Sequence, residues 1–133
     1  MSRAVWERRL WDAEAEAALG DLIDGDRQAV LEDLEAGRAE LWRARGPGYE
    51  GWLITRVEAM RDGGRELVLI AGRGRGMAAV MPVLREAARR SGCRRIRAHS
   101  HRPGYARFVA GLGFREVERV FVLDLEAQAE EAA

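Results

Sequence analysis

Residues 67–78, LVLIAGRGRGMA, decide the fold prediction for this chain. The first five of these residues are apolar without alternation, which is typical of a strand covered on both faces. From Gly76 onward, apolar residues recur every three or four positions and predict a helix over residues 76–92. The glycines between strand and helix let backbone amides approach a ligand, and the start of a helix favours an anion such as a pyrophosphate. A glycine-rich connection without a ligand fits the same residues.

The elements that follow continue a strand–helix–strand order. Residues 93–100 alternate apolar and polar side chains and predict a strand. This strand must run parallel to the one at 67–71, because a helix joins the two in a right-handed crossover. A short helix over 104–111 and a last strand over 114–125 are expected next, and the acidic, alanine-rich tail at 126–133 is expected to fray.

Two helices are predicted near the start of the chain. Apolar residues at helical spacing predict the first over residues 5–20, with Trp6, Leu10, Ala13 and Ala17 on its apolar face. The second begins after Asp24 or Asp26, either of which can cap its first amides, and it ends at Gly37.

A meander of strands connects these helices to the buried strand. Residues 40–45 and 49–60 are rich in Trp, Ile, Val and Thr, which favour strands. Gly-Pro-Gly at 46–48 and Asp-Gly-Gly at 62–64 predict the two turns. The predicted fold class is α/β, with a mixed, mostly antiparallel central sheet of five or six strands and helices on both faces. We expect one domain over residues 1–125.

Length and composition bound the class of protein. The chain has 133 residues, of which 47% are hydrophobic and 33% charged, and this length corresponds to one domain. The single cysteine, Cys93, excludes a disulfide within the chain. We find no charged leader and no apolar run long enough to span a membrane, so a soluble, cytoplasmic protein is expected.

The charges are balanced in total but not in distribution. All 22 positive residues are arginines, against 22 acids. Residues 1–66 carry 10 arginines and 15 acids, whereas residues 67–133 carry 12 arginines and 7 acids. A zero net charge without exposed aromatic residues among the arginines disfavours nucleic acid as the partner. This distribution indicates an anionic partner or an acidic half folded against a basic half. For a partner, the basic half favours an acidic protein surface, on another protein or on a second copy of this chain in a homo-oligomer.

Two motifs carry a resemblance to a known family. Residues 73–78 match the pattern Arg/Gln-x-x-Gly-x-Gly/Ala, and Leu112-Gly113-Phe114 follow the short helix. In this order and at this separation, the chain resembles the GNAT superfamily of acetyl-CoA-dependent N-acetyltransferases from its first helix to Leu125. The segment Gly37-Arg38-Ala39-Glu40-Leu41-Trp42 and the Gly92-Cys93 turn are also similar to those of short GNAT-like proteins encoded among tailed-phage structural genes.

The resemblance implies a site for acetyl-CoA. In the family, the cofactor lies between two strands that splay apart, here those predicted at 67–71 and 95–100, and its acetyl group passes to an amine. The strand backbone at Leu69, Ile70 and Ala71 would then pair with the pantetheine amide. The phosphates would lie against the residues that follow: Arg73, Gly74, Arg75, Gly76, Met77 and Ala78.

The resemblance also implies a general acid that protonates the departing thiolate. The family's tyrosine lies five residues before the Phe of the Gly-Phe pair, and here that position is Val109. Tyr105, one helical turn earlier, is the substitute that we predict. His101 is a candidate general base, as are His99 and Glu66, although surface histidines and a turn-capping glutamate are the more ordinary interpretation.

Three features differ from the family's pattern. These are Val109, the two-residue connection at 71–72, and Pro82, which cannot donate to the carbonyl of Ala78 and therefore predicts a later or kinked helix. The family's first strand would have to come from residues 2–6. These differences favour an alternative function, that of a catalytically inactive structural or assembly protein, such as a virion-associated component of a phage particle. Its partners would be phage structural proteins, whereas an enzyme would need an amine-bearing acceptor.

We expect no metal centre and no membrane partner. His99 and His101 lack a third ligand, because Cys93 lies too far along the predicted strand. Trp42 and Trp52 are expected in the core rather than in a substrate groove.

Overall fold

The computed structural model describes residues 5–99 and 103–125, apart from the side chains of Met77 and Pro103. The chain divides into two compact units between residues 101 and 102. The first unit contains a five-stranded sheet with the helices that cover it, and the second contains one helix and the segment after it.

The sheet is mixed and mostly antiparallel, as predicted. Its order in space is the order along the chain, with three antiparallel pairings followed by one parallel pairing. The parallel pair confirms the predicted strand–helix–strand crossover. The strands are β1 (Val5–Arg9), β2 (Glu40–Gly46), β3 (Tyr49–Ala59), β4 (Arg65–Arg75) and β5 (Arg95–Ala98).

The helices are α1 (Ala13–Leu19), α2 (Arg27–Ala36), α3 (Met81–Arg90) and, in the second unit, α4 (Pro103–Gly111). Three short 3-10 turns lie beside them: Gly20–Leu22 and Asp24–Asp26 between α1 and α2, and Met77–Val80 before α3. Asp26 is the residue before α2, but its side chain makes no capping hydrogen bond, and Gly37 ends that helix with a φ of 78°. The predicted second helix and its glycine stop are therefore confirmed.

The predicted helix over residues 5–20 is wrong in its first part. Residues there form β1, which pairs with β2, and α1 begins only after Asp12. The Asp12 carboxylate accepts a hydrogen bond from the Ala15 amide at 2.9 Å and caps the helix. Leu10, which the helical spacing had placed on the apolar face, is 87% exposed. Backbone pairing with a neighbouring strand therefore outweighs the spacing of the side chains.

The sheet is covered on both faces within the first unit. Leu53 lies between Trp52 and Ile54 in β3, so its side chain points to the opposite face, where it is also buried. Helix α3 buries Met81 and other apolar residues apart from the cluster that α1 and α2 form with the sheet. That cluster contains Ala15, Leu19, Ile23, Val30, Ala39, Leu41, Trp52, Ile54 and Ala71. The predicted helices on both faces are confirmed.

The predicted last strand is wrong. Residues 114–124 form neither helix nor strand in the described structure. A strand requires hydrogen bonds to a neighbouring strand, and apolar alternation alone does not supply them. The predicted tail at 126–133 lies outside the described residues.

Candidate functional site

A bulge interrupts β4 at Ile70. Ile54 of β3 pairs with Ala71, but the next residue, Thr55, pairs with Leu69. Ile70 is therefore an extra residue without a partner in the register of these two strands, and such a bulge bends the strand that carries it.

The pairing of β4 with β5 ends at the same place. The last paired residues are Leu69 and Ala98, one position before the bulge. Beyond this point β4 continues beside β3 as far as Arg75. The pairing of the two parallel strands therefore ends at Leu69 and Ala98, where β5 itself ends, and Ile70 is the next residue of β4.

The glycine-rich segment is a strand and not a loop. Gly72 pairs with Leu53 and Gly74 with Gly51, which corrects the prediction that β4 ends at residue 71. A Cβ at Gly74 would lie 2.1 Å from the carbonyl oxygen of Glu50. Here glycine is required for close packing of two strands, so this glycine is explained without a ligand.

Gly76 ends the strand and begins the turn into α3. Its φ is 62°, a left-handed conformation that suits glycine, and a Cβ there would lie 1.9 Å from the carbonyl oxygen of Gly48. The 3-10 turn follows, and α3 starts at Met81 with Pro82 in its first turn. The later helix start predicted from Pro82 is confirmed, since proline fits the first turn of a helix.

Arg73 forms hydrogen bonds with the end of α1 and the turn that follows it. Its guanidinium donates two hydrogen bonds to Asp21, at 2.7 and 2.9 Å, and a third to the Ala18 carbonyl at 3.0 Å. The Asp21 carboxylate raises the pKa of Arg73. Arg75 is different, because its side chain is 85% exposed. Its ion pair with Glu50 is loose, with a distance of 3.7 Å between the charged atoms. Of these two arginines, Arg75 is the one available to an anion.

Glu66, a candidate base, is occupied by ion pairs. Its side chain is 7% exposed and lies 2.6 Å from Arg95 Nε and 2.9 Å from Arg97 Nε. Glu58 of β3 contacts Arg97 as well, so Arg97 of β5 pairs with carboxylates of both β3 and β4. Glu66 therefore joins the strands and is not free to accept a proton from a substrate.

The remaining candidates follow β5 along the chain. Tyr105 and Val109 lie one turn apart in α4, in the second unit. Burial raises the pKa of the Tyr105 phenol, whose ring is 6.2 Å from that of Phe108. His99 is exposed, and His101 lies outside the described residues.

Both tryptophans of the meander have structural contacts. Trp52 is 7% exposed and lies between the guanidinium groups of Arg9 and Arg43, at 5.3 and 5.1 Å from its ring. Trp42 donates a hydrogen bond to the hydroxyl of Thr55. The predicted core position of Trp52 is confirmed.

Metal ligands do not cluster in the part of the chain that the structure describes. Burial raises the pKa of the Cys93 thiol, and no group of three or more His, Cys, Asp or Glu side chains there could hold an ion. In that same part of the chain, none of the helices has the length and apolar composition required to cross a membrane.

Comparison with solved structures shows the fold. The ribosomal-protein-alanine N-acetyltransferase of Brucella melitensis is 17% identical, with a TM-score of 0.58 over 90% of this chain and 99% of that one. The aminoglycoside N-acetyltransferase AAC(6')-Iy, solved with CoA, is 17% identical, with a TM-score of 0.57 over 90% of this chain and 98% of that one. The chain has the fold of the GNAT acetyltransferases.

A solved structure whose name describes a different function has a similar fold. A transcriptional regulator from Bacillus halodurans C-125 is 16% identical, with a TM-score of 0.60 over 92% of this chain and 99% of that one. No family model and no curated protein sequence matches the chain. At these identities the GNAT fold is shown and the reaction is not.

Two features of the site were absent from the sequence-based predictions. The bulge at Ile70 has no signal in the sequence, because Ile70 is one of five consecutive apolar residues. The Asp21 partner of Arg73 is 52 residues away along the chain. Only the excess of acids in the first half hinted that such an arginine would be neutralised internally.

Proposed function

We propose that the protein is a GNAT-type N-acetyltransferase that transfers an acetyl group from acetyl-CoA to an amine. The observation that carries this proposal is the end of the β4–β5 pairing after Leu69, with a bulge at Ile70 of β4 and a helix start beyond it. A strand that loses its neighbour on one side presents backbone donors and acceptors to a ligand. A solved neighbour with this fold, AAC(6')-Iy, has been crystallised with CoA.

The residues after Leu69 suit an extended, amide-containing ligand with phosphates at one end. Backbone groups of Ile70 and Ala71 would pair with the pantetheine amides as an added strand does. The amides of Met77 and Ala78 begin a helical turn, where the first donors lack partners within the helix. Arg75 would contribute a mobile positive charge at the same end.

Acetyl-CoA, when bound, would supply the acetyl group as a thioester. Backbone donors at the Ile70 bulge would stabilise the negative charge that develops on the carbonyl oxygen, since fixed amides do so without rearrangement. Tyr105 would donate the proton to the departing thiolate. A phenol with its ordinary pKa is protonated at neutral pH, as an acid requires, and burial raises the pKa of Tyr105 further.

The first experiment is calorimetric titration of the protein with acetyl-CoA. We expect saturable binding in the micromolar range. Ala78→Glu would place a carboxylate at the exposed helix start and weaken binding by about tenfold. Ala87→Glu, at an exposed position near the other end of α3, is the matched control and should leave the affinity unchanged. Equal affinity of the two variants would refute the position of the phosphate site.

Position 78 serves this test better than Gly76. A side chain at Gly76 would collide with the Gly48 carbonyl, so a loss of binding there could reflect a damaged fold. Tyr105→Phe then tests the acid separately. It should lower kcat with amine acceptors and leave acetyl-CoA affinity unchanged, and an unchanged kcat would remove Tyr105 from the mechanism.

A catalytically inactive assembly protein with the same fold is the second candidate. Three observations favour it. The β3 backbone occupies the space beside Gly74, and Asp21 binds the Arg73 guanidinium. Val109 lies at the position where the family has its tyrosine. Incorporation into a phage particle remains one form of this candidate. Absence of acetyl-CoA binding up to millimolar concentration would favour it over the enzyme.

A further inference from the structure

Helix α3 presents a basic surface outside the proposed cofactor site. Its buried side consists of Met81, Leu84 and Ala88. Its outer side is exposed and carries one acid, Glu86, which accepts a hydrogen bond from Arg90. We call this the α3 face; its arginines are Arg85, Arg89 and Arg90.

A second surface of opposite charge lies at the start and outer side of α2. Four exposed carboxylates lie there, and three of them, those of Asp24, Asp26 and Glu32, line a depression of about 470 Å³. Within the described part of the chain, none of the four forms an ion pair, although other acids of the same region do. We call this the α2 face; its carboxylates belong to Asp24, Asp26, Glu32 and Glu35.

The two faces lie on opposite sides of the sheet. Helix α2 packs through Val30 onto the face that holds Trp52 and Ile54, whereas α3 packs on the other face. A surface and its complement on opposite sides of one molecule cannot satisfy each other within that molecule. They can do so between copies, and the contact is then heterologous, because a pair joined in this way still has one free face of each charge, one on each copy.

We propose that copies of this chain associate head to tail, with the α3 face of one against the α2 face of the next. Charge complementarity supports a second copy as the occupant, since each chain supplies both surfaces. Contacts between exposed charges are weak and screened by salt, so association is expected at low ionic strength and should grow with concentration beyond a dimer. The proposal does not depend on acetyl-CoA binding or on catalysis.

Sedimentation velocity at low and high salt tests the association. We expect the intact chain to show concentration-dependent species larger than a dimer at low salt and a monomer at high salt. A monomer at every salt concentration would overturn the proposal. So would a discrete dimer, because a closed pair uses one self-complementary surface.

Charge reversal identifies the faces. Arg89→Glu/Arg90→Glu makes both faces acidic, whereas Glu32→Arg/Glu35→Arg neutralises the α2 face and leaves the α3 face basic. Each double variant alone should be monomeric, and an equimolar mixture of the two should associate again, since each then offers what the other lacks. Thermal melts of both variants check that folding is retained. Association of either variant alone, or a mixture that stays monomeric while both are folded, would show that these faces are not the contact.

Discussion

The two halves of β4 differ in what surrounds them. Residues 66–69 lie between β3 and β5, and three of the four are buried. Residues 72–75 are exposed, and β3 is their one neighbouring strand among the described residues. The first half is held by strands on both sides and by ion pairs at Glu66, whereas the second is held by close backbone contact at its glycines. One strand thus supplies both the interior of the sheet and the rim of the candidate site.

The largest effect is expected from Gly74→Ala in the second half. The added methyl group would meet backbone atoms of Glu50 and Gly51 at 2.1 and 2.5 Å, and backbone cannot move aside as a flexible side chain can. We expect the free energy of unfolding to fall by about 3 kcal/mol or more, measured by urea titration. Gly25→Ala is the control: it meets no atom within 4 Å and should change stability by less than about 0.5 kcal/mol. Equal stability of the two variants would mean that β3 does not hold this half.

Glu66→Gln tests the first half. The neutral amide keeps the shape but leaves two arginines of β5 without their buried carboxylate, which should cost about 2–4 kcal/mol. Glu86→Gln, which removes an exposed ion pair with Arg90, is the matched control and should cost at most about 0.5 kcal/mol. If both glutamines cost the same, the ion pairs across β3, β4 and β5 do not hold the parallel pair together.

Much of this fold could be predicted from the sequence, because local signals and tertiary pairing agree in most elements. The unbroken apolar run before Gly72 predicted a buried strand, and the glycines at 37 and 76 marked a helix end and a strand–helix turn. Prediction failed where hydrogen bonding between strands, and not the local spacing of residues, determines the secondary structure. The helical spacing at Trp6 belongs to a strand, and the strand-like residues 114–124 have no strand to pair with in the described structure.

The candidate site was less predictable than the fold. The sequence located the stretch at 67–78 and left open whether its glycines serve a ligand or a plain connection; two of them, Gly72 and Gly74, pair with β3. Glycine permits close approach by any group, so composition cannot distinguish a ligand from a neighbouring strand. The ion pair of Arg73 could not be predicted from the sequence either, since its partner Asp21 lies in a turn 52 residues earlier in the chain.

Arg73→Gln should have a smaller effect than either substitution above. The bidentate pair with Asp21 is partly exposed, with side chains 41% and 58% accessible, so solvent weakens it. We expect a loss of about 0.2–1 kcal/mol, and a double-mutant cycle with Asp21→Asn isolates the contribution of the pair. A coupling energy indistinguishable from zero would mean that the second half of β4 is held by its glycines alone.

The smallest effect is expected at Asp62, in the turn that leads into the first half of β4. Its carboxylate accepts a hydrogen bond from the Gly64 amide at 2.9 Å and contacts Arg94 just before β5. The amide first, and the guanidinium next, lower the pKa of Asp62 below its ordinary value. A lowered pKa in the folded state means that this contribution to stability is present above the ordinary pKa of an aspartate and is lost as the pH falls through the folded value. Asp62→Asn should therefore lower Tm slightly at neutral pH and flatten the dependence of Tm on pH below about 4. Parallel Tm profiles for the variant and the unmodified chain in that acidic range would show that the turn does not anchor the paired half of β4.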